Sequence, residues 1–318
     1  MALTLPEAAK LSTTDLQRGV IETFVQESSI LDRLPLLPIE GNAYAYNEEA
    51  TLPWVQFRAV NEAYAESTGT VNQKSESLVI LGGDADVDKF IVKTRGNLND
   101  QRAIQTRMKI KAAAYKFQDS FFNGDVATEP KGFDGLRKRL VGAQVISAGT
   151  NGAPIVGTDG KDSHAFFDLL DALIAQVPGL TNANGALYAN RAVIAKVKSA
   201  ARRIGGYEMV REALTGKTVA TYNGIALLDA GQTAAGVDVI PQTETQGTAT
   251  DASSIYAVRF GQAEDDRAVT GLTNGGIQVT DLGELESKPS YRTRIEFYTG
   301  LAVFGGRGAA RLNGVLAK

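Results

Sequence analysis

The segment from residue 41 to residue 83 constrains this chain more than any other. Tyr44 and Tyr46 alternate with alanines, and Val55, Phe57 and Ala59 alternate with polar or charged neighbours. That period of two belongs to strands. A polar tip follows from Glu62 to Gln73, and Leu78–Leu81 resumes an apolar strand that stops at Gly82-Gly83-Asp84. The pattern predicts a long hairpin with a broad polar end. Arms of ~12–20 residues at ~3.3 Å per residue would project ~40–60 Å. A compact body of 318 residues has a radius of only roughly 20 Å. An isolated two-stranded ribbon is marginal in water, yet this one carries Tyr44, Tyr46, Trp54, Phe57 and Tyr64. Aromatics of this kind anchor protein interfaces. These five are the candidate inter-subunit contact residues, with the hairpin laid on another copy of the chain. A hairpin folded back over its own domain is the alternative. Contacts between unlike surfaces propagate into rings or closed shells.

Elsewhere helices and strands come in blocks, which argues for an α+β fold and against βαβ alternation. A polar start leads into a helix that Thr14 or Asp15 could cap, with Leu16, Val20 and Phe24 at helical spacing. The strongest helix is predicted over 97–122. Asn97 or Asn99 caps it, Asp100 sits in its first turn, and Asn123-Gly124-Asp125 ends it. Ile104, Met108, Ala112 and Tyr115 form one stripe, widened by Ile110, Ala114, Phe117 and Phe121. A strand is expected around Val141–Ile146. Two shorter helices follow, capped by Ser163 and by Asn190, the second burying Val193, Ile194, Val197, Ala201 and Ile204. From 217 onward strands dominate: 218–222, 225–229, 237–241, 255–260, 276–280, 291–297 and 301–304. Asn223-Gly224 is a hairpin turn between the first two.

No chemistry of a familiar kind is assembled. There are no cysteines, so thiolate metal sites and Cys nucleophiles are out, and the lone His164 cannot build a multi-histidine site. Gly216-Lys217-Thr218 lacks the glycine five positions upstream, where Arg211 stands, that a phosphate loop needs. Asp84, Asp86 and Asp88 alternate, but Lys89–Val92 is expected to run on as a strand where a calcium loop needs glycine and a distal Glu. No catalytic, cofactor-binding or metal residue is proposed, and an enzyme is not expected. The formal net charge of −3 leaves no overall nucleic-acid footprint, although Arg137-Lys138-Arg139 and Arg202-Arg203 are local basic runs. No signal peptide or apolar run near 18 residues is visible, so no membrane contact is expected.

Several stretches, in their order, resemble the major capsid proteins of tailed double-stranded DNA bacteriophages, which share the HK97-like fold. They are LPEAAKLS, LPIEGNAYAYNEE with the later FRAVNEAYAES, LGGDADVDKF, and the long helix leading into FFNGD and PKGFDGL. The resemblance implies an N-terminal arm over 1–40 and an extended loop over 41–83. It implies a peripheral domain over 84–160 with its spine helix at 97–122, an axial domain over 161–262, and return strands of the peripheral domain over 263–318. It further implies a structural role, with self-assembly into pentamers and hexamers of an icosahedral shell around phage DNA. The expected partners are other copies of the chain, portal and scaffolding proteins, a decoration protein and, weakly and non-specifically, packaged DNA. The expected location is the virion capsid, after synthesis in the cytoplasm of a bacterial host. Some members link a loop lysine to a neighbour's asparagine. Lys74 is the only lysine between 41 and 88, and Asn274 and Asn313 are conceivable partners, but no acidic helper can be assigned. An encapsulin-like shell around a cargo enzyme is the alternative reading.

Overall fold

The computed structural model describes residues 3–4, 28–95, 101–157, 161–204, 208–211 and 218–317. In chain order the strands are β1 (Leu3–Thr4), β2 (Pro35–Pro38), β3 (Ala43–Thr51), β4 (Thr70–Ser77), β5 (Val79–Asp88), β6 (Val145–Ser147), β7 (Ala153–Pro154) and β8 (Gly185–Ala189). They continue with β9 (Glu208–Arg211), β10 (Thr218–Tyr222), β11 (Ile225–Asp229), β12 (Glu244–Gln246), β13 (Ala249–Arg259), β14 (Val269–Glu284), β15 (Ser290–Val303) and β16 (Ala309–Leu316). The helices are α1 (Lys89–Arg95), α2 (Gln101–Asn123), α3 (Lys161–Ala175) and α4 (Arg191–Ile204), with a single turn at Leu136–Arg139.

The strands form three sheets. A five-stranded sheet has the order β1-β2-β14-β15-β5, a nine-stranded sheet is built around β13, β8, β11 and β16, and β3 and β4 make a separate ribbon. The nine-stranded sheet is covered on both faces, and alternation along its strands sorts the side chains. Tyr188, Tyr256 and Val258 pack with Phe117, Phe121 and Phe122 of α2, and with Ile295 and Phe297 of the five-stranded sheet. The intervening Leu187, Ile255 and Ala257 pack with Phe166 and Leu170 of α3 and with Val193 and Val197 of α4. One strand thus feeds two cores, as its period of two allows.

Local signals hold where the chemistry is local. The Asn190 side chain accepts from the Val193 amide at 2.8 Å and caps α4. Asn223 and Gly224 both have positive φ and turn β10 into β11. After α2, Gly135 donates to the Gly124 carbonyl at 2.9 Å. A Cβ on either glycine would collide with backbone there, so the crossing requires both.

Other expectations are corrected. The ribbon ends at Ser77, and Val79–Asp88 leaves it to pair with β15 along ten residues. Its odd-numbered residues, Val79 to Val87, face inward, so the sheet takes that strand. Val55, Phe57 and Ala59 lie in no strand, since Pro53 withholds a ladder donor just after β3. Lys89–Val92 is helical, begun by the Asp88 carboxylate accepting from the Phe90 amide at 2.7 Å. In α2 the buried stripe is Ile110, Ala114, Phe117 and Phe121, while Ile104, Met108 and Ala112 face solvent. Ser163 lies inside α3 and its hydroxyl donates back to the Val156 carbonyl. Ile204 is exposed, and 237–241 forms no strand beyond a single bridge at Asp238. The two expected strands at 291–297 and 301–304 are one, β15. The expected N-terminal helix, the caps at Asn97 and Asn99, and Gly216-Lys217 lie outside the described residues.

Candidate assembly interface

The ribbon β3–β4 pairs antiparallel from Ala43↔Ser77 to Thr51↔Thr70. Its two roots are strands of one sheet. β2 leads into β3 and β5 leads out of β4, and in the five-stranded sheet they stand on opposite sides of the β14–β15 pair.

At the base, side chains dock onto the chain's own body. Tyr46 is 3% exposed and meets Phe304 edge-on at 4.8 Å between ring centres, within a small cluster holding Ile39, Leu272 and Ala302. Tyr44, half-buried, contacts the same ring and donates its hydroxyl to Glu264 at 3.2 Å. Burial pushes the Tyr46 phenol up to about 12, with the Glu76 charge adding and Arg139 opposing. Burial, then Glu264, raises Tyr44 as well. Arg139 grips the Glu76 carboxylate with both terminal nitrogens, at 2.5 and 2.7 Å, in a partly buried fork. Arg267 reaches Glu49 at 3.0 Å. Glu48, Glu49, Glu264, Asp265 and Arg267 line a polar cleft beside the Tyr46 ring.

The tip, residues 52–69, is different. Trp54 is 52% exposed, Tyr64 67%, and Phe57 and Val55 stand almost wholly in solvent with Leu52 and Val60. The tip still holds a shape. The Glu62 amide donates to the Ala59 carbonyl at 3.2 Å, the Glu62 carboxylate accepts from the Ala59 amide at 2.9 Å, and Asn61 takes a left-handed φ of 68°. The Arg58 guanidinium sits 5.1 Å over the Tyr64 ring, and the Ser67 hydroxyl accepts from the Trp54 amide at 3.1 Å. The five predicted contact residues therefore fall into two sets. Tyr44 and Tyr46 are spent on the body; Trp54, Phe57 and Tyr64 present bare aromatic surface. Sequence reading missed the receiving groups, Phe304, Glu264 and Arg267, which only the fold brings to the base.

Below the ribbon, the alternating aspartates make a charge ladder. Arg292 clasps Asp86 with two nitrogens at 2.7 Å, Lys288 adds a third contact at 2.5 Å, and Arg294 holds Asp84 at 2.8 Å. The Arg292 hydrogen bond, then Lys288, holds the Asp86 carboxyl far below the usual carboxylate range; the Arg294 hydrogen bond lowers Asp84. Among the described residues no group of His, Asp or Glu is arranged to hold a metal. His164 is exposed on the first turn of α3. Lys74 pairs with Glu48 at 2.5 Å, and Asn274 donates to the Gly41 carbonyl at 3.2 Å. No helix of the described residues is long and apolar enough to cross a membrane.

A ribbon rooted in one sheet, a long helix under it and a second, two-faced sheet make up a known architecture. The chain is similar to the SrpI encapsulin of Synechococcus elongatus, at 19% identity and a TM-score of 0.65 over 91% of this chain and 88% of that one. It is similar to the capsid of a native GTA particle, at 14% identity and 0.63 over 91% and 90%. It is also similar to the Mycobacterium phage Bobi structure, at 13% identity and 0.57 over 90% and 89%. The fold is thus the HK97-like capsid fold. No curated protein matches the sequence. The family model described as Major capsid protein GP7 matches residues 13–157, the stretch that holds the ribbon and α2. Over those residues the chain is similar to major capsid proteins.

Proposed function

We propose that the chain assembles through its extended loop into the pentamers and hexamers of a shell that encloses phage double-stranded DNA. The observation that carries this is the bare aromatic tip on a clamped base. Trp54, Phe57 and Tyr64 are exposed on a ribbon held at its root by Tyr46, Arg139 and Arg267. Exposed aromatics lose water contact only against another surface, and a second copy of the chain presents one at every lattice position. The division into a peripheral domain (84–160 and 263–318) and an axial domain (161–262) goes with this reading. So do a non-enzymatic role, portal, scaffolding and decoration partners, a place in the virion, and synthesis in the bacterial cytoplasm. The family match to major capsid proteins favours a DNA shell. The likeness to an encapsulin keeps a cargo compartment as the second reading.

Trp54 is the chain's only tryptophan, so its emission reports the tip alone. Assembly of the expressed protein, followed by electron microscopy and by fluorescence, should yield closed particles with a blue-shifted Trp54. Particles whose Trp54 emits as in the free subunit would remove the tip from the interface. Nuclease-resistant DNA inside particles from infected cells separates a genome shell from a compartment filled with protein.

A further inference from the structure

The base of the ribbon and the turn at 262–267 leave a cleft of about 340 Å³ between them. Its walls carry four carboxylates and one guanidinium. Glu48 and Glu49 come from β3, and each has a cation: Lys74 at 2.5 Å on Glu48, and Arg267 at 3.0 Å on Glu49. Glu264 and Asp265 come from the body and have no cation among the described residues. Their turn is braced from within, since the Asp266 carboxylate accepts from the Gln262 and Ala263 amides at 2.7 and 3.2 Å. The Arg267 stem crosses the space that a side chain on Gly305 would fill, so this wall requires a glycine. Beside the two uncompensated carboxylates lies a buried group without a partner. Tyr46 lines the cleft and is 3% exposed, and its hydroxyl has no hydrogen bond among the described residues. Buried phenols normally find one. Tyr44, two residues earlier, spends its own hydroxyl on Glu264.

We infer that this cleft is a binding site for a small organic cation, a guanidinium or primary ammonium group, held by Glu264 and Asp265 and seated against Tyr46 and Phe304. Such a group brings several N–H donors to the two carboxylates in charge-assisted bonds and has one to spare for the Tyr46 oxygen. The aromatic rings in the wall suit it as well, because a ring face attracts a cation of this kind. A divalent metal wants oxygen ligands on every side, and among the described residues no group of His, Asp or Glu is arranged to supply them. A bound cation would bridge Glu48 and Glu49 on the ribbon to Glu264 and Asp265 on the body, replacing repulsion across the cleft with attraction. It would thereby fasten the ribbon at its root. The same chemistry has two sources: a free amine or guanidine, or a lysine or arginine of a second copy. Binding by the free subunit does not depend on the assembly reading, so either can fail alone.

Titration calorimetry of the unassembled subunit with methylguanidinium and with agmatine should show saturable binding that weakens with salt. Glu264→Gln with Asp265→Asn should weaken it by about tenfold or more, since each carboxylate supplies a charge-assisted bond. Tyr46→Phe keeps the ring and should weaken it by about fivefold. Asp168→Asn with Asp171→Asn, on α3, should change nothing. In NMR spectra of tyrosine-labelled subunit, the Tyr44 and Tyr46 ring signals should move during the titration while that of Tyr222 stays. Absence of saturable binding, equal binding by the Glu264→Gln, Asp265→Asn variant, or a titration that leaves the Tyr46 signals in place would each overturn the inference. Assembled particles then separate the two sources. Agmatine that still binds identifies a free cation as the ligand, and agmatine that is shut out identifies a side chain of a second copy.

Discussion

The base and the tip of the ribbon share a sequence style and have opposite fates. Tyr46 at the base is packed against Phe304, while Phe57 at the tip touches almost nothing of its own chain. Both are aromatics next to polar neighbours in strand-like alternation. What separates them is distance from the roots. β2 and β5 hold the base of the ribbon over Leu272, Ala302 and Phe304, and from Leu52 to Glu66 every residue is exposed. Burial is thus a matter of reach as well as of composition.

The largest effect that would break this contrast is at the tip. Trp54→Ser with Phe57→Ser should abolish particle formation while leaving the subunit's thermal midpoint within about a degree, because exposed positions contribute little to folding. Sedimentation and calorimetry on one preparation check both halves, and a large drop in midpoint would show that the tip folds onto the body after all. Phe304→Ala should do the reverse and cost about 3–5 kcal/mol of subunit stability, since it empties the pocket under Tyr46 and Tyr44. Urea unfolding measures it. Arg139→Ala should cost about 1–2 kcal/mol by stranding Glu76. A double-mutant cycle with Glu76→Gln isolates the pair. The smallest effect is in acid. The folded carboxyls of Asp84 and Asp86 lie below their ordinary 3.8, so their contribution is complete above that value and disappears as pH falls through the folded values. Asp86→Asn should flatten the acid limb of stability below about pH 4 and change little at pH 7.

Reading these regions from sequence succeeded where the determinant was short-range. The Asn190 cap, the Asn223-Gly224 turn and the apolar stripe of α2 around Phe117 each depend on neighbours within a turn or two. The stretches that carried the capsid resemblance, from LPEAAKLS to PKGFDGL, likewise overlap residues 13–157, which the family model matches. The ribbon itself was legible; its end was not. Leu78 separates two strands that look continuous in sequence, and only the availability of β15 decides that Val79 onward leaves the ribbon. The helix at Lys89 was hidden because Phe90 and Ile91 favour strands, and a carboxylate at Asp88 tips the balance locally. The docking of Tyr44 on Glu264 and Phe304 joins distant parts of the chain and left no local trace.

The straddling of β14 and β15 by the two roots has a mechanical consequence. Tension applied at the tip runs straight into β5, which lies along β15 for ten residues, and into β2, which lies along β14. Force then arrives parallel to those strands, so their hydrogen bonds share it at once and none is unzipped singly. A container pressed from within would find each subunit gripped along the direction in which a sheet yields last.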